Sequence, residues 1–129
     1  MPSGLRVLLT TVGRLREAKL LARTLISKRR AACVQITPLY SVYRWKGKVT
    51  ETPEYLLWVK VPSGRANEAR AFLRQHHPYE VPEILEIATD AVDPRYLRWA
   101  QTSVQRKVPK SAPARRLPRP AVRRKQDTR

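Results

Sequence analysis

The spacing of apolar positions changes along the chain, and each change marks an element. Residues 5–11 (LRVLLTT) are β-rich and mostly apolar, as in a strand interior to a sheet. Across 14–30 the spacing turns helical. Leu15, Ala18, Leu21/Ala22 and Leu25/Ile26 recur at three- and four-residue steps with Arg16, Lys19, Arg23 and Lys28 between them, so this helix buries one stripe. Its end, Lys28-Arg29-Arg30, suits the negative pole of the helix dipole and reads first as a solvated helix end. Residues 31–37 (AACVQIT) form a second strand, expected to break or bulge at Pro38 because proline cannot donate to the ladder.

The longest β-rich stretch is 40–61, YSVYRWKGKVTETPEYLLWVKV, which predicts a long hairpin turning at Lys46-Gly47, where glycine supplies a positive φ. Its return arm, 55–61, is nearly continuous apolar sequence, as expected of a strand covered on both faces. The outgoing arm places Tyr40, Val42 and Arg44 on one side and Ser41, Tyr43 and Trp45 on the other. Large rings on both faces near the tip point to a partner chain. Pro62-Ser63-Gly64 then makes a turn, with Ser63 expected as the N-cap of a second helix. That helix has the stripe Ala66, Ala69, Phe72/Leu73 and His76, and stops at His77 because Pro78 disfavours helix before it. Residues 83–89 (EILEIAT) alternate with charge on one face only, predicting a strand at or near an edge. Asp93-Pro94 opens a third helix, with Asp as cap and Tyr96/Leu97, Ala100 and Val104 as its buried side.

The predicted order is β-α-β-β-α-β followed by a C-terminal helix. This is an α+β chain with the ferredoxin-like split βαβ arrangement, its helices on one face of an antiparallel sheet. The other face carries Leu, Val, Trp and Tyr without intrachain cover, so oligomerisation through it is the physical expectation.

Charge divides the chain. The formal net charge is +17, and residues 105–129 alone hold ten Lys/Arg against one Asp. Size and composition predict one folded domain over 1–104 and a basic, Pro-rich disordered tail over 105–129, whose few apolar residues cannot offset ordering entropy. Such a tail would attract nucleic acid or other polyanions non-specifically and in a salt-dependent way. A single cysteine, Cys33, excludes an internal disulfide and fits a reducing cytoplasm. No apolar run approaches the ~20 residues of a membrane span, and the N-terminus lacks a signal-peptide core. A soluble cytoplasmic protein with no membrane partner is expected.

Candidate chemistry gathers at His76-His77-Pro78-Tyr79-Glu80, where two imidazoles and a carboxylate could serve Cu(II), Zn(II) or another divalent cation. Adjacent helical residues point about 100° apart, so His76 and His77 share a metal only if the helix unwinds before Pro78. Glu80 and Glu83 read as solvated turn carboxylates rather than an acid/base pair, and Cys33 as a small core residue rather than a nucleophile. With four glycines and no phosphate-binding loop, the chain carries no recognisable catalytic constellation, and a non-enzymatic role is expected.

Four blocks carry a resemblance: Arg30-Ala31-Ala32-Cys33-Val34, Tyr43-Arg44-Trp45-Lys46-Gly47-Lys48, His77-Pro78-Tyr79-Glu80-Val81-Pro82-Glu83-Ile84 and Tyr96-Leu97-Arg98-Trp99. In order and spacing they resemble the CutA family of divalent-cation tolerance proteins. The resemblance implies a ferredoxin-like homotrimer whose hairpin reaches over neighbouring subunits, with Tyr43, Trp45 and Trp58 at the interface. It also implies a role in tolerance of copper and other divalent metals. Some bacterial members pair the histidines with a first-strand thiol, and the matching position here is Thr10. The alternative is a small-molecule-sensing trimer resembling PII-type signalling proteins, with ligand clefts between subunits.

Overall fold

The computed structural model describes residues 3–105. Apart from Gln105, the predicted disordered tail lies outside the described residues. The chain forms β1 (Leu5–Val12), α1 (Leu15–Ser27), β2 (Cys33–Trp45), β3 (Lys48–Pro62), a short 3-10 turn (Ser63–Arg65), α2 (Ala66–His76), β4 (Leu85–Ala88) and α3 (Pro94–Ser103). The strands make one sheet in the order β2-β3-β1-β4, with every neighbouring pair antiparallel.

The hairpin is longer than predicted. Pro38 neither breaks nor bulges the second strand: it pairs with Tyr55 inside an uninterrupted 13-residue β2. Because β2 lies at the sheet edge, a residue without an N–H is tolerated there. The turn at Lys46-Gly47 has positive φ at both residues, 52° and 81°, the combination that matches the twist of a two-residue hairpin. One other expectation is corrected. Ser63 does not cap α2: it opens the 3-10 turn, and its buried hydroxyl has no hydrogen-bond partner among the described residues. Within one chain β3 is covered on the helix side only: Leu57, Val59 and Val61 are buried, while Trp58 between them is 38% exposed on the face expected to meet a partner chain. The third helix starts as expected, with Asp93 Oδ1 accepting from the Arg95 N–H at 2.8 Å and Pro94 in the first position.

α1 and α2 cover one face of the sheet. Leu8, Val12, Leu57, Val59 and Val61 meet Ala18, Leu21 and Leu25 of α1 and Ala69, Phe72 and Leu73 of α2. Each fully buried Leu or Val contributes about 1.5–3 kcal/mol relative to exposure, so this layer carries most of the fold. An ion-pair group closes its β4 side, where Glu86 accepts from Arg6 on β1 and from Arg70 on α2. α3 builds a smaller cluster in which Ala100 and Val104 pack with Leu5 and Ala32. The opposite sheet face has Leu9 paired with Trp58 on one side and with Leu85 on the other, and Val7 paired with Ile87. Trp58, Leu85 and Ile87 stay exposed there.

Candidate functional site

The region combining a cavity with close polar contacts lies where the distal half of the hairpin faces the turn after α2. Pro78 forces that turn: α2 ends at His76, and His77 is already extended at φ −78° and ψ 138°. The two histidines therefore go separate ways. The His76 ring stacks on Phe72 with centroids 4.0 Å apart, and its Nδ1 donates to the Phe72 carbonyl at 3.0 Å. This fixes the proton on Nδ1 and leaves Nε2 as the acceptor. His77 turns to β1. Its Nδ1 accepts from the Tyr79 N–H at 3.0 Å, so Nε2 carries the proton of the neutral ring and donates to Thr10 Oγ1 at 2.9 Å. Burial lowers the His77 pKa below its ordinary value, against a backbone hydrogen bond at Thr11 and the charges of Glu17 and Glu54. Among the described residues, no three His, Cys, Asp or Glu side chains stand together as a metal cluster.

The next residue of the turn, Tyr79, carries the closest contact of the region. Its hydroxyl donates to Glu54 Oε2 at 2.6 Å, and Glu54 is only 7% exposed although it sits on a hairpin arm. Burial first, and then the Glu54 carboxylate, push the Tyr79 pKa well above the usual phenol value, so it remains a hydrogen-bond donor at any physiological pH. A Cβ at Gly13 would stand 3.3 Å from that hydroxyl, a tight approach that glycine leaves open. Beside this pair is a cavity of about 780 Å³ lined by Tyr43, Trp45, Glu54, Tyr79, Glu80 and Glu83, among others. Among the described residues its lining has three carboxylates and three aromatic rings and no Lys or Arg. In a chain of net charge +17 this is a local reversal of sign.

The structure places the sequence candidates unevenly. Thr10 does face a histidine, but His77 alone. Tyr43 and Trp45, 40% and 46% exposed, line the cavity near the hairpin tip, whereas Trp58 lies on the open sheet face and donates to Thr37 Oγ1 at 3.1 Å. Glu80 and Glu83 line the cavity. Cys33 is half-buried and free, beside Tyr96, whose pKa is raised to about 12 by burial and then by Cys33. Sequence reasoning missed Glu54. The available signal was a carboxylate between Pro53 and Tyr55 at the start of an otherwise apolar arm.

Residues 6–103 match the family described as CutA1 divalent ion tolerance protein. The chain belongs to this family. It is 39% identical over 94 residues to the divalent-cation tolerance protein CutA of Thermus thermophilus, an overlap covering 72% of this chain and 91% of that protein. Mouse protein CutA is 36% identical over 100 residues, which cover 77% of this chain and 56% of the mouse protein. The chain thus spans little more than half the length of that relative. Among solved structures, CutA of Synechococcus elongatus superposes with a TM-score of 0.78 at 34% identity, covering 81% of this chain and 95% of that one. CutA of Xylella fastidiosa gives 0.77 at 34% identity, covering 80% and 100%. The antiparallel sheet with its helices is the α+β, ferredoxin-like fold of those CutA structures. Among the described residues no helix is long and apolar enough to cross a membrane.

Proposed function

We propose that this CutA chain is the subunit of a non-enzymatic, cytoplasmic homotrimer that acts in divalent-cation tolerance, with cations received at the cleft between the distal half of the hairpin and the turn after α2. The observation that carries the assembly is the unfinished sheet face. Trp58, Leu85 and Ile87 are exposed on it, and Tyr40, Val42, Tyr43, Trp45 and Val49 are exposed along the hairpin. A second and third copy would remove this apolar surface from water. The cation reading draws on the carboxylate lining of the cavity and on His76 Nε2, the histidine nitrogen without a hydrogen-bond partner. His77 would join as a ligand only by giving up Tyr79 or Thr10. Cu(II), which accepts imidazole and carboxylate ligands, is the cation to try first.

The cavity also favours a second reading, a PII-like sensor of small molecules bound between subunits. Its three carboxylates and three rings suit a positively charged organic ligand better than a nucleotide.

Sedimentation equilibrium and calorimetric titration test these readings together. The expected results are a trimer at micromolar concentration, heat on adding Cu(II) or Zn(II), and none on adding ATP. Replacing both His76 and His77 by Ala should weaken the metal response, and Thr10→Cys should strengthen that for copper, because position 10 touches His77. A folded monomer would remove the assembly. Metal heats unchanged in the double variant would remove the histidines as ligands, and heat with an organic polyamine cation but with neither metal would favour the sensor.

A further inference from the structure

The cleft keeps one oxygen of a buried carboxylate open. Glu54 is 7% exposed, and the Tyr79 hydroxyl occupies only its Oε2. Among the described residues no Lys, Arg or His forms an ion pair with Glu54, and its Oε1 accepts no hydrogen bond. A buried carboxylate is ordinarily paired with a cation or satisfied by donors at both oxygens. Glu54 lines the cavity, so Oε1 is available to a donor that enters from solution. A metal ion there would want several oxygen or nitrogen ligands around it, and no three His, Cys, Asp or Glu side chains stand together among the described residues. An ammonium asks for less: one carboxylate oxygen and the face of a ring.

The rings are in place. By strand register Tyr43 and Trp45 on β2 share a hairpin face with Thr50, Thr52 and Glu54 on β3. The Tyr43 hydroxyl accepts from Thr52 Oγ1 at 3.0 Å, which lays its ring along that face. The Trp45 ring already takes an ammonium, with Lys46 Nζ 5.8 Å from its centroid. The cleft is also long. Trp45 pairs with Lys48 beside the turn, and Glu54 lies six residues further along β3, roughly 20 Å at about 3.3 Å per residue. Glu80 and Glu83, both exposed, add two more carboxylates on the opposite wall.

We propose that this cleft binds a linear polyamine, an aliphatic chain of ammonium groups, with one ammonium on Glu54 Oε1 and the methylenes against Tyr43, Trp45 and Tyr79. This rests on the sensor reading of the same cleft and names its ligand class. Three carboxylates spread along an elongated cavity of about 780 Å³ suit several charges on a thin chain better than one charge on a compact ligand. A quaternary ammonium has no N–H to give to Oε1. A guanidinium pairs best with both oxygens of a carboxylate, and Tyr79 already holds one of them. The charge of the whole chain, +17, opposes any diffuse attraction of a polycation, so binding would have to come from a local site.

The test is calorimetric titration of the full chain with spermidine, and separately with tetramethylammonium, at about 150 mM salt. Spermidine should bind saturably at one site per chain, and tetramethylammonium at least about tenfold more weakly. E54Q, whose carboxamide still accepts from the Tyr79 hydroxyl, should bind spermidine at least about tenfold more weakly, since a charge-assisted hydrogen bond is lost. E80Q/E83Q changes only exposed turn residues, so its thermal midpoint should match the parent while its spermidine affinity falls a few fold. That variant decides the matter should E54Q misfold. Tetramethylammonium bound as tightly as spermidine, or spermidine affinity unchanged in both variants, would overturn the polyamine site and leave a sensor of some other cation. No heat with either organic cation would remove the sensor reading together with it.

Discussion

The two faces of the sheet are made by alternate residues of the same strands, yet only one is completed within a chain. On the helix side, Leu8, Leu57, Val59 and Val61 have essentially no exposure. One residue along β3, Trp58 lies between the same two strands, paired with Leu9 and Gln35, and keeps 38% of its surface. Strand composition is apolar on both sides, so the difference lies in what covers each face. Helices α1 and α2 finish the first, whereas on the second α3 covers only the end beside Leu5 and Cys33, and the part around Trp58 has the composition of an interface.

The largest expected effect separates the faces by kind. Leu57→Ala should destabilise folding by about 2–5 kcal/mol, the range for emptying a closed aliphatic site, read as a shift in the urea midpoint at constant slope. Trp58→Ala should change that midpoint less at a concentration where both proteins have dissociated. The comparison breaks if the exposed tryptophan matters as much to the isolated subunit as the buried leucine does.

On the open face the effect should appear in association. Trp58→Ala or Trp45→Ala should weaken self-association by about 2 kcal/mol or more, the scale of an aromatic anchor at an interface centre, which is roughly a thirtyfold change in the equilibrium constant. Sedimentation equilibrium at several loading concentrations measures this directly. A variant that assembles like the parent would return its tryptophan to ordinary surface.

The same contrast explains what could be read from the sequence. Element order, the hairpin turn, the Asp93 cap and the buried stripes of α1 and α2 were legible because each depends on local spacing or on one residue's backbone preference. The difference at Pro38 concerns position in the assembled sheet, since proline is acceptable where β2 is an edge, and the one at Ser63 comes from a 3-10 turn inserted before α2. At the site, the motif from His77 to Glu83 was visible, but Glu54 was not. Its role comes from a tertiary approach of Tyr79 across 25 residues, which no periodicity encodes.

That approach gives a third prediction, smaller than the first two. Tyr79→Phe leaves the buried Glu54 carboxylate without its 2.6 Å donor and should cost about 1–3 kcal/mol, the penalty for a buried group deprived of its partner. Glu54→Gln keeps an acceptor for the Tyr79 hydroxyl and should cost less. Equal losses in the two variants would mean that packing of the ring, rather than the hydrogen bond, holds the turn against the hairpin.

The smallest effect concerns pH and rests on His77. Its ring is held neutral by its contacts, because Nδ1 must accept from the Tyr79 N–H, and burial lowers its pKa below the 6.5 of a free imidazole. In the unfolded chain the same ring takes its proton at about 6.5, before the folded chain does. Between that value and the lowered folded pKa the unfolded state therefore binds more protons, and stability falls as pH falls. The contribution of His77 is complete above about pH 6.5, declines through the window beneath it, and levels off once the folded ring is also protonated. Thermal midpoints of the parent and of His77→Gln, measured from about pH 8 down to 5, should differ in slope only below neutrality, with the variant flatter. Equal slopes would mean that other groups dominate, and a parent stabilised by acid would contradict the neutral ring.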